Sequence, residues 1–340
     1  MRVYVLGRSI LDERELERFL RDHGVAWPRG SAVSSDSSGP RESSDNAMTA
    51  NLSGPGERSD IRSEAKWERQ RHAERENGDS STSVVSSGPG ESNDSSMSVI
   101  SSGPGRSFDS AVSAEVLCEV AGRVCYMSFA RPRPGGNRAY LEHIKESGHG
   151  SVLEHAVWNL LITGVSRSLT HELVRHRVGF SYSQLSQRYV DESDAEYTEP
   201  DIIASDAELR AAWTDAVRYA REAYVRLVRL LESKLEDESF ASRWLPSDAT
   251  ATDRRKLARQ AARSVLPNAT ETKIFVTANA RALRHFLELR GSRHAEPEIR
   301  KLANILLEVL QRESPHLFGD YRRIPLPDGT FEIVTDYRKV

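Results

Sequence analysis

Glu271–Leu289 reads ETKIFVTANARALRHFLEL, and its local preference changes in the middle. The first seven residues, Glu271–Thr277, are rich in β-branched and aromatic side chains, the composition of a strand. From Ala278 to Leu289 the apolar residues recur at helical spacing, with Leu283, Phe286, Leu287 and Leu289 expected against the core. A strand that runs straight into a helix belongs to a mixed α/β domain. Working outward, Met1–Gly7 (MRVYVLG) and Ala156–Thr163 (AVWNLLIT) read as strands, and Gln187–Asp191 as another. Helical periodicity covers Asp12–His23, Ala114–Arg123, Asn137–Glu146 and Ser166–Arg175. It returns over Ser205–Glu238 with Ser205 as N-cap, over Thr252–Leu266 up to Pro267, and over Glu296–Arg312. The fold class is therefore α/β: a single mixed domain with long helices and a small sheet, of about 230 residues after an insertion.

The insertion explains the composition. Only 38% of the 340 residues are apolar, against roughly 45–50% in globular chains counted with Gly, and mean hydropathy is −0.55. The dilution is local. Residues 31–110 are dominated by Ser, Gly, Asp, Glu and Asn, and Ser-Gly-Pro starts there at Ser38, Ser53, Ser87 and Ser102. A repeat without large apolar residues has no face to bury, so it cannot stack as a solenoid. It reads as a disordered low-complexity insertion, with Ala65–Glu76 as a transient helix and a docking tail as the alternative role. The organisation expected is 1–30 as the first strand and helix of the catalytic domain, 31–110 as insertion, 111–321 as the catalytic domain and 322–340 as a C-terminal tail. The insertion holds thirteen acidic and eight basic residues, leaving 37 acidic and 39 basic elsewhere. The net charge of −3 thus conceals a slightly positive folded part.

Other classes are excluded by simple counts. No run approaches the roughly 18 apolar residues of a membrane helix, and Met1–Ile10 lacks the apolar region of a signal peptide. Two cysteines exclude a disulfide framework, so a reduced cytoplasm is expected. The charge balance predicts no nucleic-acid partner.

Three clusters could carry chemistry. Arg175-His176-Arg177 is followed by VGFSYSQLSQRY, which puts Gln184, Ser186, Gln187 and Arg188 in one loop. Arg175 and Arg177 could simply complement a helix dipole. Hydroxyl, amide and guanidinium donors together suit a phosphate or a nucleotide base better than a core. The second cluster is His149, Ser151, Glu154 and His155, where Ser151 and Glu154 could form a capping box. The third holds Arg263, Asn279, Arg281, His285, Arg290, Arg293 and His294. On a regular helix Arg281, His285 and Arg290 lie at about 200°, 240° and 20° from Asn279, which splits them over two faces. No metal is expected: His171 and His176 are five residues apart, about 140° around a helix, and cannot share one zinc. Cys118 and Cys125 lie in an apolar helix and its exit, without the basic neighbours of an activated thiolate. No general base is evident beside Ser186.

Taken together, the clusters resemble the flavin-dependent thymidylate synthases. The resemblance runs from about Ala121 to Tyr321, with Met1–Gly7 as the family's first strand. It rests on Arg175-His176-Arg177 with Ser186-Gln187-Arg188-Tyr189, on His149-x-Ser151-x-x-Glu154-His155, on Ala262-Arg263-x-x-Leu266-Pro267, on Asn279-Ala280-Arg281, and on Arg290 with His294. Eight residues separate Arg177 from Ser186 where the family pattern has seven, and Gly179 is placed to absorb the extra one in a tight turn. The resemblance implies reductive methylation of dUMP to dTMP, with FAD as cofactor and NADPH and methylenetetrahydrofolate as co-substrates. It also implies a homotetramer with shared sites, and no nucleic-acid or membrane partner. It assigns FAD binding to Ser151, Arg175, His176, Arg177, Gln184, Asn279, Ala280, Arg281 and His285. It assigns dUMP binding to Glu172, Arg175, Gln184, Leu185, Ser186, Gln187, Arg188, Arg263 and Arg290. Arg290 takes the catalytic role, favouring a deprotonated uracil nitrogen through its permanent charge.

Overall fold

In the computed structural model, which describes residues 1–27 and 110–340, four segments pair into one antiparallel sheet. The strands are β1 (Arg2–Arg8), β2 (Val157–Ser166), β3 (Phe180–Gln184) and β4 (Glu271–Asn279), in the order β1-β2-β4-β3. Strand alternation sends Trp158, Leu160 and Ile162 of β2 and Ile274, Val276 and Ala278 of β4 into the core. The Ser/Gly-rich segment and the helix expected at Ala65–Glu76 lie outside the described residues.

The first helices are α1 (Glu13–Asp22), α2 (Ser110–Tyr126) and α3 (Gly136–Glu146), and a 3-10 turn follows at Gly150–His155. Then come α4 (Arg167–Leu173), α5 (Asp201–Ala204), α6 (Ala207–Leu235), α7 (Glu238–Ala241) and α8 (Ala251–Ala262). The last are α9 (Ala280–Arg290), α10 (Pro297–Glu313) and α11 (Pro315–Phe318). Leu283, Phe286 and Leu287 of α9 share one cluster with Leu302, Leu306 and Leu310 of α10 and with the inner residues of the sheet. Each such side chain contributes about 1.5–3 kcal/mol on burial. Residues 322–340, expected as a tail, carry a hairpin of β5 (Arg322–Pro325) and β6 (Phe331–Val334). Among the described residues no helix is long and apolar enough to cross a membrane.

Local expectations were corrected where two hydrogen-bonding solutions competed. Gln187–Asp191 is not a strand. The amides of Tyr189 and Val190 both donate to the Ser186 carbonyl, which closes a turn, and the strand lies upstream at Phe180–Gln184. The cap of α6 is Asp206 rather than Ser205, because its carboxylate accepts from both Glu208 and Leu209 amides at 2.9 and 3.0 Å. That helix also ends at Leu235, short of Glu238. Helix α4 ends at Leu173, so Arg175 and Arg177 lie beyond it. Helix α9 starts at Ala280, with Asn279 as its N-cap; α8 stops at Ala262, and Arg263–Val265 tightens into a 3-10 turn. The Ser151–Glu154 capping box is also absent: the turn has no side-chain cap, and Glu154 pairs with Arg281 instead. On α9 the expected core residue Leu289 is 51% exposed, while Arg284 is 0% exposed.

Candidate functional site

Helix α4 divides the site. Ser166 ends β2 and caps α4 through its hydroxyl, which accepts from the Leu169 amide at 3.0 Å. Ser166 is fixed in turn by Glu298 near the head of α10, which accepts from its amide at 2.8 Å and its hydroxyl at 2.5 Å. The i, i+4 spacing then puts Arg167 and His171 on one side of α4, and Glu172, with His176 just beyond the helix, on another.

On the Glu172 side sits Arg290, the last residue of α9. Its Nη1 donates to Glu172 Oε2 at 2.5 Å and its Nε to His176 Nε2 at 3.0 Å. Among the described residues Nη2 has no hydrogen-bond partner. His176 packs against Phe286, Phe180 and His285, with ring centroids at 5.1, 5.8 and 6.2 Å. Burial, the charge of Arg290 and the neighbouring His285 push its pKa down to about 4. The ring is therefore neutral at pH 7, and accepting at Nε2 places its proton on Nδ1. The Tyr182 hydroxyl lies 2.8 and 2.6 Å from the carbonyls of Leu173 and His176, and so fixes the segment that carries the ring. Glu296, the N-cap residue of α10, hydrogen-bonds Glu172; burial, then that bond and the Glu172 charge, raise its carboxyl above the ordinary range.

On the other side of α4 opens a cavity of about 480 Å³ lined by Arg167, His171, Gln187, Gln260, Arg263 and Asn268, among others. Arg167 donates from Nη2 to the Leu185 carbonyl at 2.9 Å. Burial lowers its pKa, Glu192 raises it, and the like charge of Arg263 lowers it further. Arg167 Nε, Gln187 Nε2 and Arg188 Nε are buried without a partner. The guanidiniums of Arg167 and Arg263 on one cavity, with the unpaired buried donors of Arg167 and Gln187, form a place for an anion.

Of the residues expected to hold a flavin, Ser151, Asn279, Ala280 and Arg281 fall around the start of α9, while His176 lies by Arg290 at its far end. The Asn279 Oδ1 accepts from the Ala282 amide at 2.8 Å, and its backbone amide donates to the Gly179 carbonyl at 3.2 Å. Gly179 has φ +73°, and the Phe180 amide closes the turn on Arg177 O at 3.2 Å. A Cβ there would meet Ala282 Cβ and Asn279 Nδ2 at 2.7 Å, so the eight-residue spacer is accommodated by a position that only glycine fits. Ala280 is buried, with its amide on Ala156 O. Arg281 reaches Glu154 at 2.6 Å beside Gly150, next to exposed Ser151. Arg177 and His285 are exposed, and Arg175 donates to His171 O. A helix N-terminus ringed by exposed donors fits a diphosphate cofactor.

Three assigned residues are engaged elsewhere. Gln184 lies on the inner side of β3, its Nε2 donating to Thr170 and Thr272 hydroxyls at 3.1 and 3.3 Å. Leu185 is held through its backbone by Lys273 and Arg167. The Ser186 hydroxyl accepts from the Arg188 amide at 3.3 Å. Sequence reasoning missed Arg167, His171 and Glu296. The i, i+4 spacing of the first two on one helix was a usable signal. Glu296 had none, because its partner is remote in sequence. Among the described residues no group of three or more His, Cys, Asp or Glu side chains is placed to hold a metal ion.

The family model described as thymidylate synthase complementing protein matches residues 109–316. A protein of Mycobacterium sp. (strain JLS) named flavin-dependent thymidylate synthase is 53% identical over 221 residues, covering 64% of this chain and 84% of that relative. A protein of the same name from Mycobacteroides abscessus is 52% identical over 216 residues, 63% of this chain and 82% of its own. One from Mycobacterium tuberculosis is 50% identical over 221 residues, again 64% and 84%.

Proposed function

The chain belongs to the flavin-dependent thymidylate synthase family, enzymes that turn dUMP into dTMP, and on that premise we propose how its residues divide the work. The Arg167–Gln187–Arg263 cavity takes the dUMP phosphate, and Ser186 and Arg188, which flank Gln187 in the chain, join in holding the nucleotide. Arg290 takes the uracil ring. Its Nε and Nη1 are anchored on His176 and Glu172, which leaves Nη2 to face a ligand, and this observation carries the reading. An N–H held there stabilises negative charge on ring nitrogen N3 once its proton leaves, without reorganisation at the moment of reaction. The neutral His176 adds no competing positive charge. Ser151, Arg177, Asn279, Ala280 and Arg281 hold FAD around the head of α9, with Arg175, His176 and His285 further along it, and Gln184 joins them only by leaving Thr170 and Thr272. Bound flavin supplies the hydride chemistry. NADPH is the reductant and methylenetetrahydrofolate the one-carbon donor. The working unit is a homotetramer with shared sites, acting without nucleic acid or membrane.

The test begins with the absorbance spectrum of the purified protein, which should show bound flavin, followed by dTMP formation from dUMP, methylenetetrahydrofolate and NADPH. A protein that takes up no added FAD rejects the reading. Arg290→Ala should keep its flavin and lose turnover by about 10²–10³-fold. Near-normal turnover would remove Arg290 from the reaction.

A further inference from the structure

The family match ends at residue 316, and the β5–β6 hairpin lies beyond it. That hairpin is joined to the chain immediately after Arg290. The Ile333 amide donates to the Gly291 carbonyl at 2.8 Å, and Ile333 is buried. The approach is close: a Cβ on Gly291 would lie 2.5 Å from Ile333 Cβ and 2.5 Å from the Leu287 carbonyl. Glu332, the preceding residue, accepts from Arg293 Nε at 2.9 Å. Buried Arg300 of α10 completes the hold. Its Nη1 donates to the carbonyls of Arg293 and Ala295 at 3.0 and 2.6 Å, its Nε to the Thr330 hydroxyl at 2.8 Å, and its Nη2 to Asp328. Asn304 adds a bond from Nδ2 to the Phe331 carbonyl at 2.9 Å. The connector from Gly291 to Glu296 is thus gripped from the hairpin side and from α10.

This grip has a direct bearing on Arg290. The residue sits at the C-terminal end of a helix, where the last carbonyls lack intrahelical partners and other contacts must hold the backbone. Its guanidinium has to present one edge to a ligand while the other stays on His176 and Glu172. We propose that the β5–β6 hairpin is a positioning element for Arg290, acting through the Ile333–Gly291 backbone bond and the Glu332–Arg293 ion pair. The proposal rests on the reading that Arg290 meets the uracil. Arg293 and Glu332 are positioning residues and touch no substrate.

The experiment compares the FAD-loaded full chain with Glu332→Ala, Arg293→Ala, their double variant, and Arg322→Ala. Arg322 lies on the outer strand of the same hairpin, paired with exposed Asp336. Steady-state kinetics in dUMP and amide hydrogen exchange over residues 287–296 are read on each. Glu332→Ala should lower kcat about tenfold, as expected for a slight misplacement of a catalytic group, with the dUMP KM nearly unchanged. Exchange between Leu287 and Glu296 should quicken, and flavin content should stay that of the parent. Arg293→Ala should match it, and the double variant should cost no more than either single change. Arg322→Ala should behave as the parent. A Glu332→Ala protein with the parent's kcat overturns the proposal, and so does an equal loss in Arg322→Ala, which would mark general loosening of the hairpin. If the parent makes no dTMP, the function assigned above fails. The exchange arm then decides separately, and an unchanged rate around Gly291 in Glu332→Ala overturns the hairpin's hold.

Discussion

Burial takes water from the His176 ring, and Arg290 and His285 place further positive character beside it, so the proton that an exposed imidazole gains below 6.5 is refused until about pH 4. The folded value lies below the unfolded one, so the unfolded chain binds the proton first. The stability held by the neutral ring is complete above pH 6.5 and is lost as pH falls toward 4. Thermal melting between pH 4 and 7 should therefore fall less steeply in His176→Gln, which keeps an acceptor for Arg290 but does not titrate. Identical slopes in the two proteins would show that His176 is not the group responsible. Arg290 Nε requires an acceptor at this position, and a protonated imidazole cannot supply one.

Among the elements, α9 shows how one helix serves two environments. Arg290 ends it at the site. Arg284 is wholly buried, with Nη1 and Nη2 on the two oxygens of Asp320 at 2.8 and 2.9 Å. Lys145 of α3 reaches the same carboxylate at 2.9 Å, and the Thr335 hydroxyl donates to it. Burial alone would raise the Asp320 pKa, but Arg284 and Lys145 outweigh it and bring the value down to about 2. Removing that anion strands two buried cations. Asp320→Ala should lose about 3–5 kcal/mol in urea unfolding, the cost of breaking a buried pair from one side. Asp336→Ala, on an exposed pair, should leave the midpoint where it was. A midpoint in Asp320→Ala equal to the parent's would mean that the network does not anchor α9.

For the whole molecule, α6 runs over 29 residues yet buries only Tyr224, Val228 and Leu235. Leu209, Tyr219 and Leu230 stand 49%, 61% and 52% exposed along it. A helix this long with so little of its apolar surface covered fits the proposed tetramer, and light scattering should find a species of four chains. Every assigned site residue lies outside residues 31–110, so deleting that segment should leave flavin content and turnover unchanged. Loss of turnover with the flavin retained would give the segment a role in the reaction. The inner residues of β2 and β4 and the apolar stripes of α9 and α10 were legible because period is a local property, and the motifs around Arg175, Arg263 and Asn279 were legible because residue type and spacing survive in the chain itself. Leu289 was misassigned to the core, and the burial of Arg284 went unforeseen, for the opposite reason. Hydrophobicity predicts burial, but a guanidinium is buried wherever a carboxylate from elsewhere in the chain pays its desolvation, and no local pattern announces Asp320. The turn at Gln187 was lost to a strand because both satisfy the backbone, and only the Ser186 carbonyl, held in place by the fold, chose between them. By itself, then, the sequence determined a mixed helix-and-sheet fold, the family and the residue types at the site, while the antiparallel pairing of the sheet came from the tertiary structure. The tertiary structure decided which of them meet: Arg290 with Glu172 and His176, Arg167 with Arg263 across a cavity, and the hairpin against Gly291. Those pairings depend on distances between remote segments, which are set only when the core closes.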